Sequence, residues 1–136
     1  MRILAALLVA AGCTGEMRER ALDEDAQAVG AATADSEAAS ARLIAAGRAA
    51  IPAIETAFHT ARIEGRLDLV VALRRIGDAE SVPLLLHHAR LDEDERVRKE
   101  AEFTLRGWSQ GQGDRADRAR RALRALEESR ADTQSG

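Results

Sequence analysis

The chain has 136 residues, 46% of them hydrophobic by type but only 2% aromatic, with one Trp, two Phe and no Tyr. That is enough for one small domain plus extensions. The 20 basic and 23 acidic residues leave a formal charge of −3, so there is no cationic footprint for nucleic acid. A single Cys excludes an internal disulfide framework, an all-cysteine zinc site and a CxxC redox pair. Two Pro among many Ala, Leu, Arg and Glu predict an all-α protein.

At the N-terminus, Arg2 precedes an unbroken apolar or small stretch from Ile3 to Gly12, closed by Glu16 and Arg18. The stretch falls short of the roughly 20 residues needed to span a bilayer and has the form of a signal-peptide h-region. Val9-Ala10-Ala11-Gly12-Cys13 resembles a bacterial lipobox, with Ala10 where Leu is more usual. The resemblance implies cleavage after residue 12 and lipidation of Cys13. Thr14 stands where an inner-membrane retention signal would have Asp, which implies the periplasmic face of the outer membrane of a bacterial cell envelope. The competing readings are an ordinary secretory signal with a chance Cys, or a core helix with a buried thiol.

Residues 14–35 offer only Met17, Leu22 and Val29 as sizeable apolar side chains. With so little to bury, 13–35 reads as the lipidated Cys and a flexible tether; a first helix of the following domain is the alternative. From Ser36 the chain repeats itself. Ile51-Pro52-Ala53-Ile54 matches Val82-Pro83-Leu84-Leu85, and Arg66, Leu69, Ala72, Leu73 and Ile76 match Arg98, Ala101, Thr104, Leu105 and Trp108. A period of about 30 residues with two helices per unit is the mark of an α-solenoid.

Within each unit, Ile51, Ile54 and Phe58 share a helical face, as do Val82, Leu85, Leu86 and Ala89. Pro52 and Pro83 stand in the first turn, where a missing N–H costs little. Leu69, Ala72, Leu73 and Ile76 form the apolar stripe of a second helix, repeated by Ala101, Thr104, Leu105 and Trp108. Leu73, Leu85, Leu105 and Trp108 are therefore expected in the core. Gly77 is expected to end one second helix, and Gly107 with the 109–113 run the other. Asp114 should cap a last helix with a narrow stripe of Ala116, Ala119, Leu123 and Leu126.

The run Arg74 to Leu85, then Asp92 to Glu95, then Val97-Arg98 with Ala101 and Leu105, resembles the short HEAT-like repeat of the phycobilisome-lyase type. The tetratricopeptide pattern of Trp, Gly, Tyr and Phe is absent. The resemblance implies a short α-solenoid of about two and a half to three hairpins over 36–130, with a C-terminal capping helix and a disordered tail at 131–136. It also implies a ladder of turn acids and arginines, here Asp92 or Asp94 with Arg98, and Glu64 with Arg66.

The remaining chemistry is sparse. His87 and His88 are adjacent and point about 100° apart on a helix, which does not suit one metal. The Asp92–Glu95 run lacks the Gly and Glu of a calcium loop and is better placed to charge a helix N-terminus. No nucleophile elbow, P-loop or zinc-protease motif occurs. The chain is therefore read as a non-enzyme without cofactor or metal: a lipid-anchored, cell-envelope protein–protein interaction module, adaptor or scaffold. Its expected partners are a protein and, through the lipid, a membrane, with neither nucleic acid nor a small-molecule substrate. One alternative is a membrane-surface structural protein whose last helix, carrying Arg115, Arg118, Arg120, Arg121 and Arg124, touches lipid. A remote one is a lyase-like enzyme.

A helical wheel places the expected partner surface opposite the core stripe of the second helices. Leu67, Val71 and Arg74 recur one unit later as Lys99, Phe103 and Arg106, with Ala41 and Ile44 one unit earlier. They predict an apolar ridge flanked by cations that would meet a partner's acidic groups, unless Phe103 packs under the last helix.

Overall fold

The computed structural model describes residues 2–135, and the side chains of residues 14–135. The described residues are all-helical, without a strand. The helices are α1 (Arg2–Gly30), α2 (Ser36–Ala46), α3 (Ile51–Phe58), α4 (Ile63–Ile76), α5 (Val82–Leu91), α6 (Glu95–Ser109) and α7 (Asp114–Ser135). None of them is long and apolar enough to cross a membrane. The side chains of the expected signal segment, residues 1–12, and of Cys13 lie outside the described residues.

The internal repeat has a structural counterpart. α3 and α5 each open with their Pro in the first turn, and each follows a short 3₁₀ turn, at Gly47–Ala50 and Ala79–Ser81. The last residues of those turns, Ala50 and Ser81, are both buried. α4 ends on Gly77 in the left-handed region at φ 67°, where its N–H bonds to the Leu73 carbonyl at 3.0 Å. A residue with a Cβ would strain at that φ, so Gly is the economical stop. α6 runs through Gly107 and ends at Ser109, within the 109–113 run, so that run and not Gly107 stops the helix. Trp108, one residue past Gly107, is buried.

α4 packs between α2 and α6, α5 pairs with α6, and α7 lies against both α5 and α6. The core follows the expected stripes: Leu73, Leu85 and Leu105 are fully buried and Trp108 nearly so, beside Leu43, Ile54 and Leu69. Each such Leu contributes about 1.5–3 kcal/mol of transfer free energy.

Two expectations are corrected. Residues 14–30 are not a tether but the second half of α1, which packs on α2, α3 and α4. Leu22, Ala26 and Val29 are buried at successive turns. The end of α1 is then fixed by polar contacts, Arg42 to Asp25 at 2.8 Å and the Arg62 N–H to the Gly30 carbonyl at 2.9 Å. The tail is helical through Ser135 instead of disordered. Arg130, the residue just before it, donates to Glu102 of α6 at 2.7 Å.

Candidate interaction surface

The second-helix face is open. Phe103 is 64% exposed, so α7 does not cover it. Val71 is half-buried and Ala41 exposed. A shallow groove of about 580 Å³ runs between α2 and α4, bordered by Ala41, Ile44, Asp68, Val71 and Arg75. Leu67 is half-buried and packs against the core instead of the ridge. The guanidinium of Arg74 lies 5.7 Å from the centre of the Phe103 ring, within range of a cation–π contact.

The expected cationic flanks are neutralised within the protein. Arg74 bonds to Glu100 at 3.1 Å, Lys99 pairs with Glu95 at 3.0 Å, and Arg106 pairs with Glu102 at 2.7 Å. The ridge is therefore apolar and charge-balanced, because helical i, i+4 spacing supplies Lys99 and Arg106 with their own carboxylates. Two acids of the groove, Glu37 and Asp68, have no ion pair among the described residues, and the Asp68 carboxyl is pushed up by burial and by the neighbouring Glu64.

The turn acids and arginines form a network different from the expected one. The Asp92 carboxylate faces Arg66 of the preceding unit, with Nε at 3.3 Å, within ion-pair distance but without hydrogen-bond geometry. It also accepts from His88 Nδ1 at 3.0 Å. Asp94 caps α6 by accepting from the N–H groups of Arg96 and Val97, as the acidic run predicts. Arg98 contacts neither carboxylate; its Nη1 donates to the carbonyls of Asp92 and Glu93 at 2.6 and 3.1 Å. Arg66 likewise donates to its own turn at the Ala61 carbonyl, 3.0 Å away, instead of pairing with Glu64.

His88 is buried and stacked on Phe58 at a centroid distance of 3.9 Å. Burial holds its imidazole below the usual value, against the opposing pull of Asp92. Because an ionised carboxylate can only accept, Nδ1 carries the proton in the neutral ring. His59 and His87 are exposed. Among the described residues, no group of three or more His, Cys, Asp or Glu side chains could hold a metal ion.

On α7, Arg115 donates to the Gly77 carbonyl at 2.9 Å and lies over Trp108, Arg118 bridges Asp114 and Glu80, and Arg120 bonds to the Ser109 and Gly111 carbonyls. Three of the five expected basic residues thus fasten the helix down, leaving Arg121 and Arg124 without such contacts. Arg90 and Arg130, which no motif or repeat marks in the sequence, share a cleft with Arg98. No protein-family model matches the chain, and no curated protein or solved structure matches it, so the functional reading rests on the chain's own geometry.

Proposed function

We propose that the chain is a lipid-anchored protein-interaction module, an adaptor or scaffold rather than an enzyme. In this reading Cys13 carries the lipid, the site is the bacterial cell envelope, and the outer membrane's periplasmic face presents the domain. The helices from α2 onward form a short α-solenoid of HEAT-like hairpins with α7 as its cap. The recurrence of a 3₁₀ turn, a Pro-led first helix and an apolar-striped second helix supports the solenoid. α1 extends the packed domain toward the anchor.

One observation carries the interaction reading: Phe103 is 64% exposed, on the face that also carries the exposed Ala41 and half-buried Val71. Exposed aromatic anchors are what interfaces enrich, and Phe103 differs from the equally exposed Met17 and Leu91 in being aromatic and under an Arg. The occupant we assign is an apolar helical or extended segment of a protein. The engagement of Arg115, Arg118 and Arg120 within the fold weighs against α7 as a lipid-binding helix.

The test is photo-crosslinking in cells with a probe at Val71, at Phe103 and, as a control, at Arg121. One protein adduct shared by the first two positions and missing at the third is expected. Equal adducts at all three would refute the ridge. For the anchor, a Cys13→Ser variant should stay unprocessed or leave the membrane fraction, and wild-type fractionation would refute lipidation.

A further inference from the structure

Arg66 and Arg98 occupy the same position in successive units. Each backbone N–H bonds four residues back, to Arg62 and Asp94 respectively, and each Nη1 donates to the carbonyl five residues back, at Ala61 and Glu93. They differ in what lies beyond the guanidinium. Arg66 faces a carboxylate from the next unit, Asp92 at 3.3 Å. Among the described residues Arg98 has none, because α7, and not a further acidic turn, follows α6.

A cleft of about 270 Å³ opens there, between α5, the start of α6 and the last turns of α7. Arg90, Arg98 and Arg130 line it, with Ser129 and Thr133 at one wall and Leu126 beneath. Arg130 is already neutralised by Glu102, while the exposed Arg90 has no ion pair among the described residues. No carboxylate lines the cleft itself, so Arg90 and Arg98 bring its unneutralised side-chain charges beside the Ser129 hydroxyl, while the Thr133 hydroxyl donates to the Ser129 carbonyl. Glu128 and Asp132 border the adjoining groove, which shares Arg90.

We propose that this cleft is a carboxylate-binding site that takes an Asp or Glu side chain of a partner protein, the intermolecular counterpart of Asp92 on Arg66. Guanidinium matches carboxylate in shape and charge, and a pre-held guanidinium loses little freedom on pairing. The backbone carbonyls at Asp92 and Glu93 hold the Arg98 Nη1, and the Arg98 side chain lines the cleft. Only the partner's being a protein rests on the interaction reading; the anion chemistry does not.

The probe is an acetylated, amidated hexaglutamate peptide, titrated into the full-length chain in non-ionic detergent and followed by the arginine Nε–H resonances. Saturable shifts at Arg90 and Arg98 are expected, weakened by 300 mM sodium chloride. Arg90→Gln, at an exposed residue with no ion pair, should weaken binding roughly tenfold. Arg98→Gln should abolish the shifts, provided the amide spectrum remains folded. Absence of saturation at millimolar peptide, or equal binding by the wild type and Arg90→Gln, overturns the site. Tighter binding of inorganic phosphate than of the peptide reassigns it to a phosphate group. Self-association removed by Arg90→Gln would make the occupant a second copy and likewise overturn the proposal. A Phe103→Ser variant should titrate as the wild type does, so failure of the ridge and failure of the cleft are separable.

Discussion

Gly65, in the first turn of α4, lies directly against the backbone of Gly30 at the end of α1, where an added Cβ would overlap the Gly30 carbonyl. That carbonyl already accepts from the Arg62 N–H at 2.9 Å, so neither backbone can move away without breaking the junction. Helix propensity alone favours Ala over Gly by about 1 kcal/mol. The clash reverses that sign, and Gly65→Ala is expected to cost on the order of 2 kcal/mol. Thermal unfolding checks it: an unchanged or raised Tm would mean that α1 does not dock as described.

The same junction marks where the sequence stops being legible. The repeated stripes of Leu69, Leu73, Leu85 and Leu105 are large side chains at helical spacing, so core and register could be read from them directly. α1 is held by Leu22, Ala26 and Val29 and by the close approach of Gly30 to Gly65. Leu22 and Val29 are visible in the sequence but too few to mark a packed helix, while Ala26, Gly30 and Gly65 bury backbone against backbone and leave little trace in a pattern of large apolar residues. At the surface, the ridge of Val71 and Phe103 followed from the helical wheel, whereas the neutralisation of Arg74 by Glu100 depends on two different helices meeting. The cleft at Arg98 was half legible: its equivalence to Arg66 is in the repeat, but the carboxylate that Arg66 finds is visible only once the units stack.

Ser81 offers a test in the opposite direction. Its hydroxyl is fully buried without a hydrogen-bond partner, and the residue one unit earlier is Ala50, also fully buried. An unpaired buried hydroxyl costs about 1–3 kcal/mol, so Ser81→Ala should stabilise the protein by about 1 kcal/mol. A lowered denaturation midpoint at unchanged slope would show that the hydroxyl is satisfied.

His88 sets a pH dependence. Burial holds its folded-state pKa below 6.5, so the fold favours the neutral ring. A group with a depressed pKa of this kind contributes stability fully above 6.5 and loses it as pH falls toward the folded value. Tm should therefore decline between pH 7.5 and 5.5, a window above the carboxylate range. The NMR midpoint of the His88 ring should lie below 6.5. In His88→Gln this part of the decline should vanish, and a midpoint above 6.5 would reverse the assignment.

The last prediction concerns Glu102, which holds α7 in place. Its carboxylate, 15% exposed, receives Arg130 of α7 at 2.7 Å and Arg106 of its own helix at 2.7 Å. The Arg130 hydrogen bond lowers the Glu102 pKa against the opposing effect of burial, and Arg106 adds to it. With the folded pKa below 4.5, the stability is present above that value and is lost as pH falls through the folded pKa. Both arginines are half-exposed, so solvent screens the pairs and each is worth about 0.5–1 kcal/mol. Glu102→Gln should cost about 1 kcal/mol. It should also raise amide exchange in the last turns of α7 while leaving α4 protected. A double-mutant cycle with Arg130→Gln isolates the contact between α6 and α7. A coupling of zero, with exchange in α7 unchanged, would mean that Leu126 and the alanine stripe alone hold the helix.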